Sequence, residues 1–442
     1  MDDNKKLNIA LFCDAFYPTI DGVVTVVNNY AKILNKRANV FVVGPKAQKY
    51  KDKQDYEVIR CLAVKVPFVG YDLAAPKLDA KFLKEMKKRD IDIVHIHSPF
   101  NIGKIGVEVA RQKNIPVVAT MHTQFKKEFL RITKSEFISG GLLKEIMRTF
   151  NSCTEVWPVN ESTQEVLKTY GYKKPSFVVK SGTEMLPVDK QSAKEEVYAL
   201  HNIPHKVPTF IFVGRMILTK GLLTIADSLK ILNDKGIDFR MIYVGQGNSL
   251  ETLKQHIAEL GLNDKTIFIN SIQDRVLLAK YYAASKLVLF PSVCDTDGLV
   301  KYEGASQHTP TVLIEGVSSS AGITNGHNGY IAKPTVEGFA AKIEEILKDE
   351  EKYQKVCQFA YQDLYRTWDQ RVSEAYDRYE YLINKHKQNI AKKEKISAEK
   401  KEFIDALKQV PKKKRTFGKK AEIITKYIKR KIKHKQKREN ID

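Results

Sequence analysis

The stretch KLVLFPSVCDTDGLVKYEGASQHTPTVLIEG, residues 286–316, holds the pattern from which the fold is read. Its two apolar runs, Leu287 to Phe290 and Thr311 to Ile314, are short, rich in β-branched residues and bounded by Pro and Gly, as buried parallel strands are. Between them a loop, Ser292 to Gly298, opens onto a helix that carries Glu303. Gly298, Leu299 and Val300 would present unpaired backbone N–H groups at that helix start, a site suited to an anion. Asp295 before the helix and Glu303 on its first turns put a carboxylate on each side. A ligand with hydroxyls at both ends and phosphates in the middle fits this arrangement, which describes a nucleotide sugar.

Outward from this stretch, strands alternate with helices in two sets. In the first, strands are expected at Leu7–Asp14, Val40–Val43, Ile93–Ile96, Val117–Thr120, Glu155–Pro158 and Phe177–Val179. In the second they are expected at Pro208–Gly214, Phe239–Gly245, Thr266–Ile269, the two runs above and Gly329–Ala332. Such alternation predicts doubly wound α/β sheets with ligands at the carboxyl ends of the strands. The expected organisation is a first Rossmann-like domain at 1–184, a second at 185–365, a helix at 366–386 crossing back to the first domain, and a tail at 387–442. Residues 184–206 are the expected hinge.

The chain has 442 residues and 43% hydrophobic content, enough for two sizeable cores. Its five cysteines are scattered, with no CxxC or His pairing, which argues for reduced thiols and against a disulfide framework or zinc site. The opening apolar run, Leu7 to Phe12, is too short for a signal peptide core, and no run reaches membrane-spanning length. A cytoplasmic protein is expected. The net charge of +22 is uneven, since residues 385–442 hold 22 Lys/Arg against 7 Asp/Glu. A negatively charged partner follows, either a membrane surface or nucleic acid. In the tail, Phe403, Ile404, Leu407 and Val410 are spaced for one helical face. So are Ile423, Ile424, Tyr427, Ile428 and Ile432, opposite a Lys/Arg face. A helix of that kind lies in the headgroup layer of an anionic bilayer.

Arg215 and Lys220 flank a strand-to-helix turn, FVGRMILTKG, and could clamp a diphosphate; ordinary surface charge is the plainer alternative. Gly22 either caps a helix or admits a phosphate to the backbone. His122 follows a buried strand and serves either the ligand or the core. Gly245-Gln246-Gly247 lacks a third glycine at dinucleotide spacing. His95 and His97 are expected to face apart, so no metal is read there. Glu161 and Asp21 have only a loop position in their favour as acid or base.

Six pieces in order, DAFYPTIDGV (14–23), HIHSPF (95–100), MHTQF (121–125), FVGRMILTKG (212–221), VGQG (244–247) and DTDGLVKYEGASQHTP (295–310), resemble the retaining glycosyltransferases of family 4, with the GT-B fold. The resemblance spans roughly residues 7–384. It implies that Gly22 brings its backbone to the diphosphate and that Arg215 and Lys220 neutralise it. Glu303 would hold the ribose, Asp295 the sugar hydroxyls, and His122 the sugar near its reacting carbon. The amides of Leu299 and Val300, with Gly298 and Gly245 beside them, would complete the donor site. The resemblance implies no metal and no cofactor beyond a UDP-sugar donor, and attack from the leaving-group face without a side-chain nucleophile. Two departures stand out: Asp295 replaces the usual Glu, and Ser181-Gly182 replaces Asn-Gly.

Within that family the chain looks most like bacterial diacylglycerol glucosyltransferases. Residues 124–150 mix six Lys/Arg with large apolar side chains and would dock on a bilayer with the tail at 398–438; a core-packed helix pair is the plainer reading. The expected reaction moves a hexose, glucose in this reading, from a UDP-sugar to a lipid such as 1,2-diacylglycerol at the inner face of the cell membrane. A polyprenyl-linked or surface-polysaccharide acceptor is the nearest alternative. A sugar-nucleotide epimerase or phosphorylase shares the two-domain shape. A nucleic-acid-binding role is disfavoured, because the tail's Ile-rich helices suit bilayers better than bases.

Overall fold

The computed structural model describes residues 6–19, 21–64, 73–408 and 425. Two six-stranded parallel sheets form the frame. The first contains β1 (Asn8–Phe12), β2 (Asn39–Pro45) and β3 (Glu57–Cys61). A two-stranded antiparallel pair, β4 (Ala63–Val64) and β5 (Leu73–Ala74), comes next, and then β6 (Ile93–Ile96), β7 (Val117–Met121) and β8 (Glu155–Pro158) complete the first sheet. The second sheet holds β9 (Thr209–Val213), β10 (Arg240–Val244), β11 (Thr266–Ile269), β12 (Leu287–Leu289), β13 (Thr311–Ile314) and β14 (Tyr330–Ala332).

Strand order is β3-β2-β1-β6-β7-β8 in the first sheet and β11-β10-β9-β12-β13-β14 in the second, so both halves are Rossmann-like with one topology. Each sheet reverses its winding between its first and fourth strands. The crevice outside the carboxyl ends of those two strands is where such sheets take ligands. In the second sheet those strands are β9, which leads to Arg215 and Lys220, and β12, which leads to Asp295. The central strands are fully buried because helices cover both faces: Leu11, Val94, Ile211 and Val288 have no exposed area.

Two expectations are corrected here. Phe177–Val179 forms no ladder strand, although the amides of Phe177 and Val179 bond Val156 and Pro158 carbonyls along β8. The last helix, Trp368–Lys408, is continuous past residue 386. Its first turns rest on the first sheet. Tyr379 stacks on Trp157 at 5.2 Å and its hydroxyl meets His95 Nδ1 at 2.5 Å, while Arg378 pairs with Glu155. The two passages between the sheets lie side by side, with Thr183 N bonding Arg366 O and Trp368 N bonding Thr183 O. A Cβ on Gly182 would sit 2.8 Å from Trp368 N, so only glycine lets the two strands of chain approach this closely. The apolar stripe at Ile423, Ile424, Tyr427, Ile428 and Ile432 lies outside the described residues, as do the side chains of Phe403, Leu407 and Val410.

Contacts group the chain up to Tyr379 into one unit and residues from Glu380 on into another. In the second, Ile396 and Ile404 are exposed on a Lys-rich helix. Among the described residues no helix is long and apolar enough to cross a membrane. Cys13, Cys61, Cys153 and Cys357 are buried free thiols, and Cys294 is exposed.

Tyr379→Ala removes a fully buried ring and its contacts with Trp157 and His95. It is expected to cost about 3–5 kcal/mol, read as a lower urea midpoint with an unchanged m-value; a midpoint equal to the parent's contradicts this packing.

Candidate active site

The loop after β9 carries Arg215 exposed and Lys220 nearly buried at the end of a 3-10 turn, Leu218–Lys220. Among the described residues the Arg215 side chain makes no hydrogen bond or ion pair. Lys220 is fully engaged. Its Nζ lies 2.6 and 2.7 Å from the two carboxylate oxygens of Asp295 and 5.5 Å from the centre of the Phe290 ring. Ser292 also donates its hydroxyl to Asp295. The structure therefore brings Lys220 and Asp295 together as a bidentate pair.

The helix Val300–Ser306 begins next, with Gly298 in the left-handed region at φ 71°. The amides of Gly298, Leu299 and Val300 have no hydrogen-bond acceptor among the described residues, as a helix start leaves them. Glu303 lies on this helix. Its Oε2 accepts from Tyr282 Oη at 2.7 Å, and Arg275 Nη1 lies 3.6 Å from Oε1. Burial raises the Glu303 carboxyl above its usual range, against the pull of Arg275 and Tyr282. Arg275 also pairs with Glu184 at 2.6 Å. Arg275 was not identifiable from sequence, since it enters from a helix two elements away and matches no local spacing.

Sequence reasoning also missed Asp297 and Lys301. Lys301 is 1% exposed. Its ammonium meets Asp297 Oδ1 at 3.1 Å and the carbonyls of Ser319 and Ala321 at 3.0 Å each. Burial would raise the Asp297 carboxyl, but Lys301 and donors including Tyr302 outweigh it and hold the group below the usual range. Asn160, on the first-domain side, donates to Thr296 O at 2.9 Å and to Asp297 Oδ1 at 3.3 Å. Gln124 and Ser162 both reach the Ser318 hydroxyl. Residues 296–297 and Ser318 are thus held from the opposite domain. The available signal was the spacing of four between Asp297, before the helix, and Lys301 on its first turn.

On the first domain, Gly22 opens the helix Gly22–Leu34, whose cap is the Asp21 side chain, and nothing lies within 4 Å of where a Cβ would stand. Glu161 pairs with Lys180 at 2.8 Å. His122 Nε2 lies 3.1 Å from His97 Nδ1. Burial lowers the His122 imidazole to about 4, with Asp297 pulling the other way. The expectation that His95 and His97 face apart is wrong: residues two apart on a strand share a face, and their ring centres are 3.9 Å apart. Among the described residues no group of three His, Cys, Asp or Glu could hold a metal ion.

Gly245 has a structural explanation that the donor-site expectation overlooked. A Cβ there would lie 2.0 Å from Gly214 O, and one on Gly247 would lie 2.4 Å from Met216 O. The two loops after β9 and β10 cross in backbone contact, with Met216 N bonding Gln246 O.

Residues 125–150 form two helices, Phe125–Thr133 and Glu136–Ser152. The core-packed reading holds for one face of the pair. Phe125, Ile146, Met147 and Phe150 are buried in the core. Ile132, Phe137, Ile138 and Leu142 are exposed, Phe137 at 91%.

Residues 20–184 match the model of Glycosyltransferase Family 4, and residues 193–363 match that of Glycosyl transferases group 1. An alpha-monoglucosyldiacylglycerol synthase of Streptococcus pneumoniae is 27% identical, over 69% of this chain and 70% of its own. Its counterpart from Acholeplasma laidlawii is 24% identical over 81% of this chain and 97% of its own. A putative teichuronic acid biosynthesis glycosyltransferase of Bacillus subtilis is 25% identical over 65% of this chain and 72% of its own. Among solved structures, Anabaena Alr3699/HepE in complex with UDP and glucose superposes with a TM-score of 0.67 at 16% identity, over 84% of this chain and 99% of that one.

The pH dependence of stability has a sign fixed by His122. Unfolded, it binds a proton near pH 6.5; folded, only near pH 4, so its contribution is present above pH 6.5 and is lost on acidification through that window. Asp14, which burial pushes up to about 6, acts in the opposite sense but equally in both proteins compared. Between pH 6.5 and 4, wild type should therefore lose stability faster than His122→Gln, by about 1.4 kcal/mol per pH unit. Parallel pH profiles from urea titrations would show that His122 is not held neutral.

Proposed function

The chain belongs to glycosyltransferase family 4, with two Rossmann-like domains in the GT-B arrangement, and we propose that it transfers glucose from UDP-glucose to a membrane lipid of the diacylglycerol type. The observation that carries the donor half is the 295–303 loop. Three amides without an acceptor among the described residues open the helix that carries Glu303 after β12, and Lys220 and the exposed Arg215 follow β9, the neighbouring strand. Amides at a helix start and two cations suit a diphosphate, and the Glu303 carboxylate suits a pair of ribose hydroxyls. The glucosyldiacylglycerol synthases among the relatives support glucose and a lipid acceptor.

The chemistry is transfer with retention at the sugar carbon. The acceptor hydroxyl oxygen bonds to that carbon from the face the diphosphate leaves, the carbon–phosphate-oxygen bond breaks, and the hydroxyl proton passes to the departing phosphate. UDP is released. The cations stabilise the charge that grows on the leaving group, an effect felt more in the transition state than in the bound substrate. No side-chain nucleophile takes part.

Acceptor access is the role we assign to residues 124–150. Ile132, Phe137, Ile138 and Leu142 stand in solvent among six Lys/Arg, which suits insertion into an anionic headgroup layer. The tail at 398–438 would supply a second anchor.

Incubation with a panel of nucleotide sugars and total lipid, with products identified by mass spectrometry, tests the reading. Glucosyl-diacylglycerol from UDP-glucose is expected. Glycosylated polyprenyl phosphate, or donor turnover without acceptor, would replace the proposed acceptor or the proposed reaction. Lys220→Ala should lower transfer roughly 100- to 1000-fold with a melting temperature near the parent's; near-normal turnover would refute the clamp. Phe137→Asp with Ile138→Asp should weaken binding to anionic vesicles roughly tenfold or more, since each large apolar side chain leaving lipid costs about 1.5–3 kcal/mol. Unchanged co-sedimentation would reject the docking face.

A further inference from the structure

Because β6 and β7 are parallel neighbours, their carboxyl ends lie side by side. His97 leaves the first and His122 the second. The two imidazoles share one contact, His97 Nδ1 to His122 Nε2 at 3.1 Å, with ring planes 19° apart. His95, beneath them, uses both nitrogens elsewhere: Nδ1 on the Tyr379 hydroxyl and Nε2 on Thr120 Oγ1 at 2.7 Å. His97 Nε2 is buried with no hydrogen-bond partner. His122 Nδ1 bonds to nothing among the described residues.

Burial keeps both rings neutral, so each carries one N–H. One proton sits in the contact between them, and its position couples the two tautomers. If His122 donated from Nε2, the proton of His97 would have to reside on its own Nε2, a buried N–H with nothing to receive it. If His97 donates from Nδ1, the unmet atom is only a lone pair. Orphaned buried N–H groups are the rarer and costlier of the two.

We propose that His97 is a positioning residue that donates Nδ1–H to His122 Nε2 and so fixes His122 as its Nδ1–H tautomer. The free nitrogen of His122 is then a hydrogen-bond donor. A donor there binds an oxygen of the sugar and cannot accept the proton of the incoming hydroxyl, which leaves that proton to the phosphate. This consequence rests on the proposed contact between His122 and the donor sugar; the tautomer does not.

Long-range proton–nitrogen NMR of protein labelled with ¹⁵N-histidine, with His122 signals identified through His122→Gln, reads the tautomer directly. The expected wild-type spectrum shows His122 protonated on Nδ1. His97→Leu should shift it toward Nε2–H, the form free histidine prefers, and lower kcat roughly 10- to 100-fold with little change in donor KM. His97→Asn, whose amide N–H can stand where Nδ1–H does, should keep the wild-type tautomer and more of the rate than His97→Leu. A wild-type His122 protonated on Nε2 overturns the proposal whatever the activity. The expected tautomer with an unaltered rate in His97→Leu overturns the positioning role and places the error in the sugar contact.

Discussion

A lysine ammonium with almost no access to water organises the loop before the Val300–Ser306 helix. Lys301 and Asp297 compensate each other there, since an unpaired buried ion costs several kcal/mol. The pair settles three pieces of chain at once. It closes the loop after β13 onto the helix through Ser319 O and Ala321 O. It fixes residues 295–300 so that their amides stay open. Through Asp297 it offers Asn160 of the other domain a hydrogen-bonding partner. An apolar pair of the same size would fill the space, but it would leave Asn160 only the carbonyls of Thr296 and Ser318 as acceptors.

Lys220 faces the complementary problem. It is nearly enclosed and takes its negative charge from Asp295 rather than from solvent. In the proposed reaction a diphosphate brings more charge than one carboxylate and can replace it. Asp295, one methylene shorter than glutamate, reaches Lys220 with both oxygens while Ser292 holds one of them. A released Asp295 would then be available to hydroxyls of the sugar. In the proposed reaction the same side chain would be counter-ion in one state and sugar ligand in the other.

Much of this was readable in the chain because both sheets are built from short β-branched runs buried on two faces, and the strands flanking each switch point end in glycine or polar residues. β3 escaped notice because it is an edge strand: EVIRC buries only Ile59 and Cys61, so it has no continuous apolar run. Phe177–Val179 has the apolar run without the ladder. Arg275 owes its role to Glu184 and Glu303, distant in sequence, and the burial of the locally spaced Lys301–Asp297 pair comes from chain around Ser319 and Asn160. The histidines were misread by a simple error of parity, as His95 and His97 stand on one face. Gly245 carries a packing demand from outside its motif, since Gly214 O stands where its Cβ would be, across a loop crossing.

A crystal structure with UDP bound tests the central claim most directly. The account predicts the β-phosphate within hydrogen-bond reach of the amides of Leu299 and Val300 and of Lys220 Nζ, the ribose on Glu303, and Asp295 released from Lys220. UDP bound elsewhere, or bound there with the Lys220–Asp295 contact still at 2.6 Å, would contradict it.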